Sequence, residues 1–377
     1  MNLADTHDFT DIRAYPERLF RKYWRQLQTD PYFIQIMDNL NKNQKWLSGH
    51  LSHLRTWTQY RNMIYQLVNY LIHKTMDDFS WSGSEILRSL VKTPRKSSGA
   101  IFVSSHRSTS LDPILFNFLF YEEAGLTAYN AVGDNLLTPS WLGHLIRLNG
   151  GFIVKRKIND EDIDTKLEEA EHLSQYIANL LSRGKHVWIA QRNGRAKDGN
   201  DKTDSAVLAM IKLAHRDKNW EEFCNTIPII PVSVSYEEIP LDATISQDHL
   251  GELDKSDSHL DSKQVIKELT QKKKRIHIHI SERIQAKKRS ALARNLDKKI
   301  IQGTKIWDSN RAAYDLLTKN TVNSIQKIPW FQERLDAQTP QLRQALINLY
   351  AAPLVNLHAL SENTTPAPAW GRNINPA

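Results

Sequence analysis

The chain has 377 residues, of which 40% are apolar, so it is long enough for one large domain with an added part or for two domains. Its single cysteine excludes an internal disulfide and a thiol-rich metal site, and fits a cytosolic location. The formal net charge of +8 at pH 7 suits nucleic acid, an anionic membrane surface or a phosphorylated substrate, and does not choose among them.

The first 95 residues are predicted to form a helical region. Residues 57–73 place Tyr60, Ile64 and Leu67 near one face at helical spacing. Such a face either packs on the rest of the protein or lies on a membrane surface with its aromatic residues at the interface. The N-terminus is polar and acidic, which argues against a signal peptide. No run of about 18 apolar residues occurs, which argues against a membrane-spanning helix.

From residue 96 to about residue 300, short apolar runs alternate with helical segments. This alternation predicts an α/β domain whose central sheet, mostly parallel or mixed, is covered by helices. Ligands of such sheets bind where strands end and loops enter helices. The predicted strands are 100–104, 127–132, 151–154, 186–190, 227–236 and 275–280, and the predicted helices are 113–123, 138–148, 162–182 and 203–216.

The remaining segments are less regular. Residues 241–263 are acidic and weakly periodic, which predicts an exposed loop or insertion. Residues 271–300 contain eleven Lys or Arg and could form a solvated helix, a nucleic-acid surface or a contact with anionic lipid. Few aromatic residues interleave with these charges, which argues against nucleic acid. Residues 301–377 are predicted to be a C-terminal helical extension with a tail.

Chemistry enters with the segment 102–113, which joins a strand to a helix and carries His106 and Asp112. Asp112 before Pro113 marks a helix start, so Asp112 could be a simple N-cap and His106 an ordinary loop histidine. Imidazole, however, suits the removal of a hydroxyl proton near neutral pH, and a carboxylate on its other nitrogen fixes the tautomer. A loop that folds back onto the helix N-terminus can bring the two side chains together.

Three later segments also lie at predicted strand boundaries. Gly150 and Gly151 end a helix and admit a tight turn, and the basic pair after the next strand, Lys155 and Arg156, either binds phosphate or is solvated. The segment 193–195 follows another strand and offers the same two alternatives. Proline cannot donate a strand hydrogen bond, so Pro231 predicts an edge, a bulge or a strand start.

Together, these four segments resemble the glycerol-3-phosphate and lysophosphatidic acid acyltransferase superfamily, over about residues 96–240 and in a divergent, bacterial-type form. The family's first motif has four residues between His and Asp, whereas this chain has five. The family's third block has Glu where this chain has Asn193. This second difference makes the identity of the acceptor less certain than the type of reaction.

The resemblance implies transfer of a fatty acyl group from acyl-CoA or acyl-carrier protein to a hydroxyl of glycerol 3-phosphate or its 1-acyl derivative, in phospholipid synthesis. His106 would be the base and Asp112 would orient it, with no metal and no cofactor. The enzyme would be cytoplasmic and peripheral on the inner face of the cell membrane, with no nucleic-acid partner. The implied substrate-binding residues are Arg107, Ser108, Gly151, Lys155, Arg156, Asn193, Gly194, Arg195 and Pro231.

Three alternatives stay open at this point. The acceptor could be another lysolipid headgroup, or the chain could be a catalytically silent membrane- or lipid-binding member of the family. The serines around His106 are also compatible with a Ser–His–Asp hydrolase, although the sequence has no Gly-x-Ser-x-Gly motif.

Overall fold

The computed structural model describes residues 8–41, 54–92, 98–155, 163–257, 259–319 and 324–362. Within these ranges the chain forms seven strands and fifteen α-helices. The strands are β1 (Met76–Ser82), β2 (Ile101–Ser104), β3 (Ala128–Gly133), β4 (Gly151–Val154), β5 (His186–Ala190), β6 (Ile229–Tyr236) and β7 (Lys273–Ile280).

The helices alternate with the strands through the middle of the chain and fill both of its ends. They are α1 (Phe20–Thr29), α2 (Pro31–Asn41), α3 (Trp57–Thr75), α4 (Ser84–Lys92), α5 (Leu111–Ala124), α6 (Ser140–Leu148), α7 (Ile163–Ser182), α8 (Ser205–Lys212), α9 (Trp220–Thr226), α10 (Asp242–Leu250), α11 (Leu260–Thr270), α12 (Arg289–Gly303), α13 (Asp308–Lys319), α14 (Pro329–Asp336) and α15 (Pro340–Ser361). No described helix has both the length and the apolar character needed to cross a membrane.

All seven strands form one mixed sheet in the order β1-β7-β6-β2-β5-β3-β4. The five strands from β6 to β4 run parallel to one another. Strand β7 is antiparallel to β6, and β1 is parallel to β7. The predicted α/β fold with a mixed sheet covered by helices is therefore confirmed.

Alternate residues of the central strands supply two separate apolar layers. In β2, Phe102 joins the layer that contains α5 and α15, whereas Ile101 and Val103 join the layer that contains α7, α8 and α12. Successive strand side chains point to opposite faces of a sheet, so this division is the expected result of a strand buried on both faces. Every residue of β2 and β6 is buried accordingly.

The N-terminal helices pack on the protein. Tyr60 of α3 is fully buried, and Ile64 and Leu67 pack against the same cluster of side chains from α1, α2 and α6. The packing interpretation of this face is therefore correct for the described residues. The prediction of a wholly helical region is wrong at Met76–Ser82, which forms strand β1 at the edge of the sheet. Only Met76 of this strand is buried, so the sequence has no apolar run from which the strand could be predicted.

The prediction of an exposed loop over residues 241–263 is correct only for the irregular, mostly exposed stretch 251–257 and is wrong on either side of it. This segment contains α10 and the start of α11. Asp242 is completely buried because Arg334 and Tyr350 of the C-terminal helices bind its carboxylate, with Arg334 Nη1 at 2.5 Å and Tyr350 Oη at 2.8 Å. Acidic composition suggested exposure, but these long-range partners compensate the buried charge.

Candidate active site

The candidate site lies at the carboxyl ends of the parallel strands. Strands β2, β5 and β6 are neighbours and run in the same direction, so the segments that follow them begin side by side. His106 follows β2, and residues 191–195 follow β5. This is the edge at which open α/β sheets bind ligands.

The structure brings the predicted pair together. His106 Nδ1 lies 2.9 Å from Asp112 Oδ2, and the carboxylate is completely buried. The backbone N–H groups of Arg107 and Ser108 donate to the same oxygen at 2.7 Å and 3.0 Å. These donors precede the helix, and Ser110 is the N-cap residue of α5, so Asp112 is not a simple N-cap. The loop folds back onto the helix N-terminus, as the sequence predicted.

Tyr236 at the end of β6 completes the carboxylate's environment. Its hydroxyl donates to Asp112 Oδ1 at 2.6 Å. Burial, together with the negative charge of Asp112, raises the pKa of Tyr236 well above its ordinary value, so the phenol stays a neutral donor. Both oxygens of Asp112 are thus fixed. Because the contact with Asp112 uses Nδ1 of His106, Nε2 is the ring nitrogen that can act on a substrate, and 14% of the His106 side chain is exposed.

A second buried carboxylate, Glu268 of α11, holds the same loop. It accepts hydrogen bonds from the backbone N–H groups of Thr109 and Ser110 at 2.8 Å and 3.0 Å. The hydroxyls of Ser108 and Ser110 donate to it at 3.3 Å and 3.0 Å. Burial raises the pKa of Glu268 even though these bonds oppose the shift. The sequence interpretation did not identify this residue.

The side chains of Arg107 and Ser108 bind other protein groups and so hold the loop in place. Both are buried, and Ser108 Oγ accepts from the backbone N–H of Leu111 at 2.7 Å. The Arg107 guanidinium forms an ion pair with buried Asp201 and donates to the carbonyl of Gly199 at 3.2 Å. The structure therefore places these two predicted substrate-binding residues against protein groups and not on an open surface.

Lys155, from the second predicted segment, lies away from His106. Lys155 Nζ contacts Glu169 at 2.7 Å and Asp11 at 2.9 Å, and β4 is three strands from β2, a separation of roughly 14 Å. Although burial opposes the shift, the bonds with Lys155 and His172 lower the pKa of Asp11 to about 2. Lys155 is thus neutralised by carboxylates and is not brought to His106.

The two remaining residues of this segment have different outcomes. A Cβ at Gly151 would lie 2.3 Å from Cγ2 of Ile146, so glycine is needed there for the packing of α6 on β4. Gly151 is buried and serves that packing. Arg156, the expected phosphate ligand, falls outside the described residues.

The third segment does reach the site. The backbone N–H of Ala196 donates to the carbonyl of His106 at 2.8 Å, which sets Arg195 beside the loop. Arg195 Nη2 donates to Gln264 of α11 at 3.3 Å. Arg195 Nη1 is buried and has no hydrogen-bond partner among the residues that the structure describes. Asn193 is exposed, and Gly194 has a φ of +75°, which glycine adopts without strain.

Pro231 lies inside the sheet and not at its edge, since β6 has neighbours on both sides. It pairs with Val103 of β2, and it is buried. On the other side, the last pair between β6 and β7 is Val232 with Ile280, one residue beyond Pro231. The N–H that proline lacks is therefore not required by that ladder.

These features define a class of protein: an α/β fold in which a partly exposed histidine, a buried aspartate and an adjacent arginine lie at the carboxyl ends of the parallel strands. Residues 82–235 match the model of the acyltransferase family. The predicted resemblance to the glycerol-phosphate acyltransferase superfamily is therefore confirmed for this part of the chain.

Similar proteins include the glycerol-3-phosphate acyltransferase of Pseudomonas syringae pv. tomato, which is 26% identical over 186 residues, covering 49% of this chain and 21% of that protein. The glycerol-3-phosphate acyltransferase of Alteromonas mediterranea is 25% identical over 181 residues, with 46% and 20% covered. The match therefore spans about one fifth of the length of these curated relatives. The crystal structure of the 1-acyl-sn-glycerophosphate acyltransferase from Thermotoga maritima aligns with a TM-score of 0.39 and 15% identity, over 76% of this chain and 94% of that chain.

Proposed function

We propose that this protein transfers a fatty acyl group from an acyl thioester to a hydroxyl of a glycerol-phosphate-type acceptor. The observation that carries the proposal is the 2.9 Å contact between His106 Nδ1 and a fully buried Asp112, within the residues that match the acyltransferase family model. A buried carboxylate that holds one imidazole nitrogen leaves the other positioned as a general base.

In the proposed reaction, the acceptor hydroxyl loses its proton to His106 Nε2 as its oxygen attacks the thioester carbonyl carbon. The tetrahedral intermediate then expels the thiolate, which takes the proton from the imidazolium, so one ester and one thiol replace one alcohol and one thioester. Asp112 holds Nδ1–H and stabilises the positive ring throughout. A general base of this kind contributes about 10²- to 10⁴-fold to the rate.

Arg195 is the proposed ligand of the acceptor phosphate. Its Nη1 is buried beside the His106 loop without a partner among the described residues, and guanidinium groups bind phosphate in bidentate fashion. The exposed amide of Asn193 can donate to an acceptor hydroxyl, although it lacks the charge of the Glu found in the family. Arg156 is the second proposed phosphate ligand.

The donor is proposed to be acyl-CoA or acyl-carrier protein, with neither a metal nor a further cofactor, because the base and the thioester suffice for the chemistry. We further propose a peripheral position on the inner face of the cell membrane. The exposed basic residues Lys287, Lys288 and Arg289 support this position, since each such charge near an anionic surface contributes about 1 kcal/mol.

The function is tested by an acceptor screen. The purified protein is given an isotope-labelled acyl-CoA or acyl-carrier protein and glycerol 3-phosphate, 1-acylglycerol 3-phosphate or other lysolipids, and products are read by mass spectrometry. Wild-type protein is expected to acylate a phosphorylated glycerol acceptor. His106→Ala should lower kcat by at least about 10²-fold, because it removes the base.

The matched control is His73→Ala, which removes an exposed histidine of α3 and should leave kcat unchanged. Circular dichroism and melting temperatures establish that each variant is folded. Full activity in folded His106→Ala would exclude the proposed mechanism. If wild-type protein acylates no acceptor with either donor, the chain is a catalytically silent member of the family.

A further inference from the structure

The loop between His106 and Asp112 has an unusual set of hydrogen bonds. Five consecutive backbone N–H groups, from residue 107 to residue 111, all donate to side chains. Those of residues 107 and 108 bind Asp112, those of residues 109 and 110 bind Glu268, and that of residue 111 binds the Ser108 hydroxyl. Two buried carboxylates therefore share the loop between them.

Glu268 holds the part of the loop that carries the additional residue. Asp112 binds the first two N–H groups after His106 and also His106 itself. It does not bind the next two, those of Thr109 and Ser110, and these lie on the Glu268 carboxylate. This loop is one residue longer than the family's motif. It can still bring His106 to Asp112, because Glu268 accepts from the two backbone N–H groups that Asp112 does not bind.

The position of Glu268 is itself well determined. The residue is 0% exposed and lies on α11, outside the family-matched range that ends at residue 235. Gln264, one turn earlier on the same helix face, accepts from Arg195. Helix α11 therefore contacts both the His106 loop and the proposed phosphate ligand. The negative charge also lies at the N-terminus of α5, where the helix dipole favours an anion.

We infer that Glu268 is a positioning residue for His106: it fixes the six-residue path to Asp112 and so keeps the imidazole in its catalytic orientation. The expected effect on kcat rests on the proposed function, whereas the expected effect on the orientation of His106 does not. Loss of the carboxylate would leave the backbone N–H groups of residues 109 and 110 and the two serine hydroxyls short of acceptors, and the loop would relax away from its present path. A misplacement of about 1 Å can lower a rate 10²-fold.

The kinetic test compares Glu268→Gln with Glu252→Gln, which neutralises an exposed carboxylate beyond α10. Glu268→Gln keeps the shape of the side chain but sets an NH₂ group against N–H donors. We expect kcat to fall between about ten- and hundredfold while KM stays within about twofold, because the substrate contacts are retained. Glu252→Gln should match wild type.

A spectroscopic test does not depend on activity. In ¹⁵N-histidine-labelled protein, the Nδ1–H proton that His106 shares with Asp112 gives a downfield resonance, identified by its loss in His106→Ala. We expect this resonance to broaden or vanish by faster exchange in Glu268→Gln and to persist in Glu252→Gln. If the wild type acylates nothing, the proposed function fails while this measurement still decides the role of Glu268.

Two results would overturn the inference: an unchanged Nδ1–H resonance in Glu268→Gln, or a kcat per folded molecule equal to that of wild type despite a lower melting temperature. If Glu268→Gln does not fold, Ser110→Ala removes one of the four donors from the other side. That variant should lower kcat severalfold and weaken the same resonance, and equality with wild type in both measurements would likewise reject the inference.

Discussion

Two buried tyrosine–aspartate pairs occur near the end of β6, and only one of them touches the proposed catalytic loop. Tyr236 donates to Asp112 at 2.6 Å, and Tyr350 donates to Asp242 at 2.8 Å. All four residues are buried, and in both tyrosines burial together with the adjacent carboxylate raises the pKa well above its ordinary value. In both pairs a tyrosine hydroxyl thus donates to a buried carboxylate, and the pairs differ in location and in the other partners of that carboxylate.

This match permits a clean separation of catalysis from stability. Tyr236→Phe and Tyr350→Phe each remove one hydrogen bond to a buried carboxylate, a loss that should lower the free energy of unfolding by about 1.5–3 kcal/mol. Tyr350→Phe should lower it further, because the Tyr350 hydroxyl also accepts from the backbone N–H of Ile239 at 2.9 Å. Only Tyr236→Phe should also lower kcat, by about tenfold, because Asp112 Oδ1 loses its donor and the carboxylate can rotate away from His106.

Chemical denaturation and steady-state kinetics on both variants provide the measurement. Equal kcat values in the two variants would mean that Tyr236 contributes to folding alone. A loss of kcat in Tyr350→Phe as large as that in Tyr236→Phe would show that the Asp242 network, and not only the loop, controls the site.

At the residue level, the sequence was informative where the relevant partners are close along the chain. His106 and Asp112 could be paired because only five residues separate them and a helix start was predicted directly after Asp112. Tyr236 and Glu268 could not be assigned, because their approach depends on strand order and on the path of α11. The ion pairs of Lys155 with Asp11 and Glu169 could not be predicted either, because they depend on how distant segments pack beside β4.

At the level of elements, the C-terminal helix α15 supports the segment that follows β5. Gly199 has a φ of +71°, and a Cβ there would lie 2.6 Å from Cβ of Ala352 and 2.8 Å from the carbonyl oxygen of Leu349. The Gly199 carbonyl in turn accepts from Arg107. Helix α15 thus packs directly against the segment after β5, and Arg107 links that segment to the His106 loop.

Two glycines of this segment distinguish backbone strain from helix packing. Gly194 and Gly199 both have positive φ, but a Cβ at Gly194 meets nothing within 4 Å. Gly194→Ala should therefore cost only the strain, about 1 kcal/mol of unfolding free energy. Gly199→Ala should cost roughly 3 kcal/mol or more, because it adds a clash with α15.

Thermal and denaturant unfolding of the two variants give the comparison directly. If both lose the same amount, α15 adjusts freely and does not constrain the loop. A larger loss in Gly199→Ala supports α15 as an integral part of the site's scaffold.

The elements found from sequence were those with strong apolar periodicity. Strands β4 and β5 were predicted with their observed bounds, because their cores are short apolar runs between turns. Strand β1 was missed since Asp77 and Asp78 interrupt it at the sheet edge, and α10 because its buried aspartate finds partners more than ninety residues away. Burial that depends on distant ion pairs leaves no local pattern.

At the scale of the whole molecule, the basic run of residues 271–300 is divided between the two ends of the strands, and 'edge' here means one such end of the sheet. Strand β7 begins at the edge where the candidate site lies, and it carries the chain to the other edge, where Ile284 pairs with Ile229 at the start of β6. Lys287 and Lys288 follow there. The eight residues of β6 separate the two edges by roughly 23 Å. This distance exceeds the Debye length of about 8 Å at physiological ionic strength.

Membrane attachment and chemistry should accordingly be separable. Lys287→Gln with Lys288→Gln should weaken binding to anionic vesicles about thirtyfold, because two charges near the surface contribute about 2 kcal/mol. The double variant should keep wild-type kcat with a water-soluble short-chain acyl donor, since screening isolates His106 from those charges. Vesicle sedimentation at low and high salt measures the first effect, and the acylation assay measures the second.

The control is Lys255→Gln with Lys263→Gln, which removes the same charge from exposed lysines at the other edge. Lys255 contacts Asp248, which also binds Lys197 in the segment after β5. Should this control lose more vesicle binding than Lys287→Gln with Lys288→Gln, the protein docks through the edge that carries the site. Attachment at that edge would present His106 directly to acceptors in the lipid surface, whereas attachment through Lys287 and Lys288 requires acceptors to leave it.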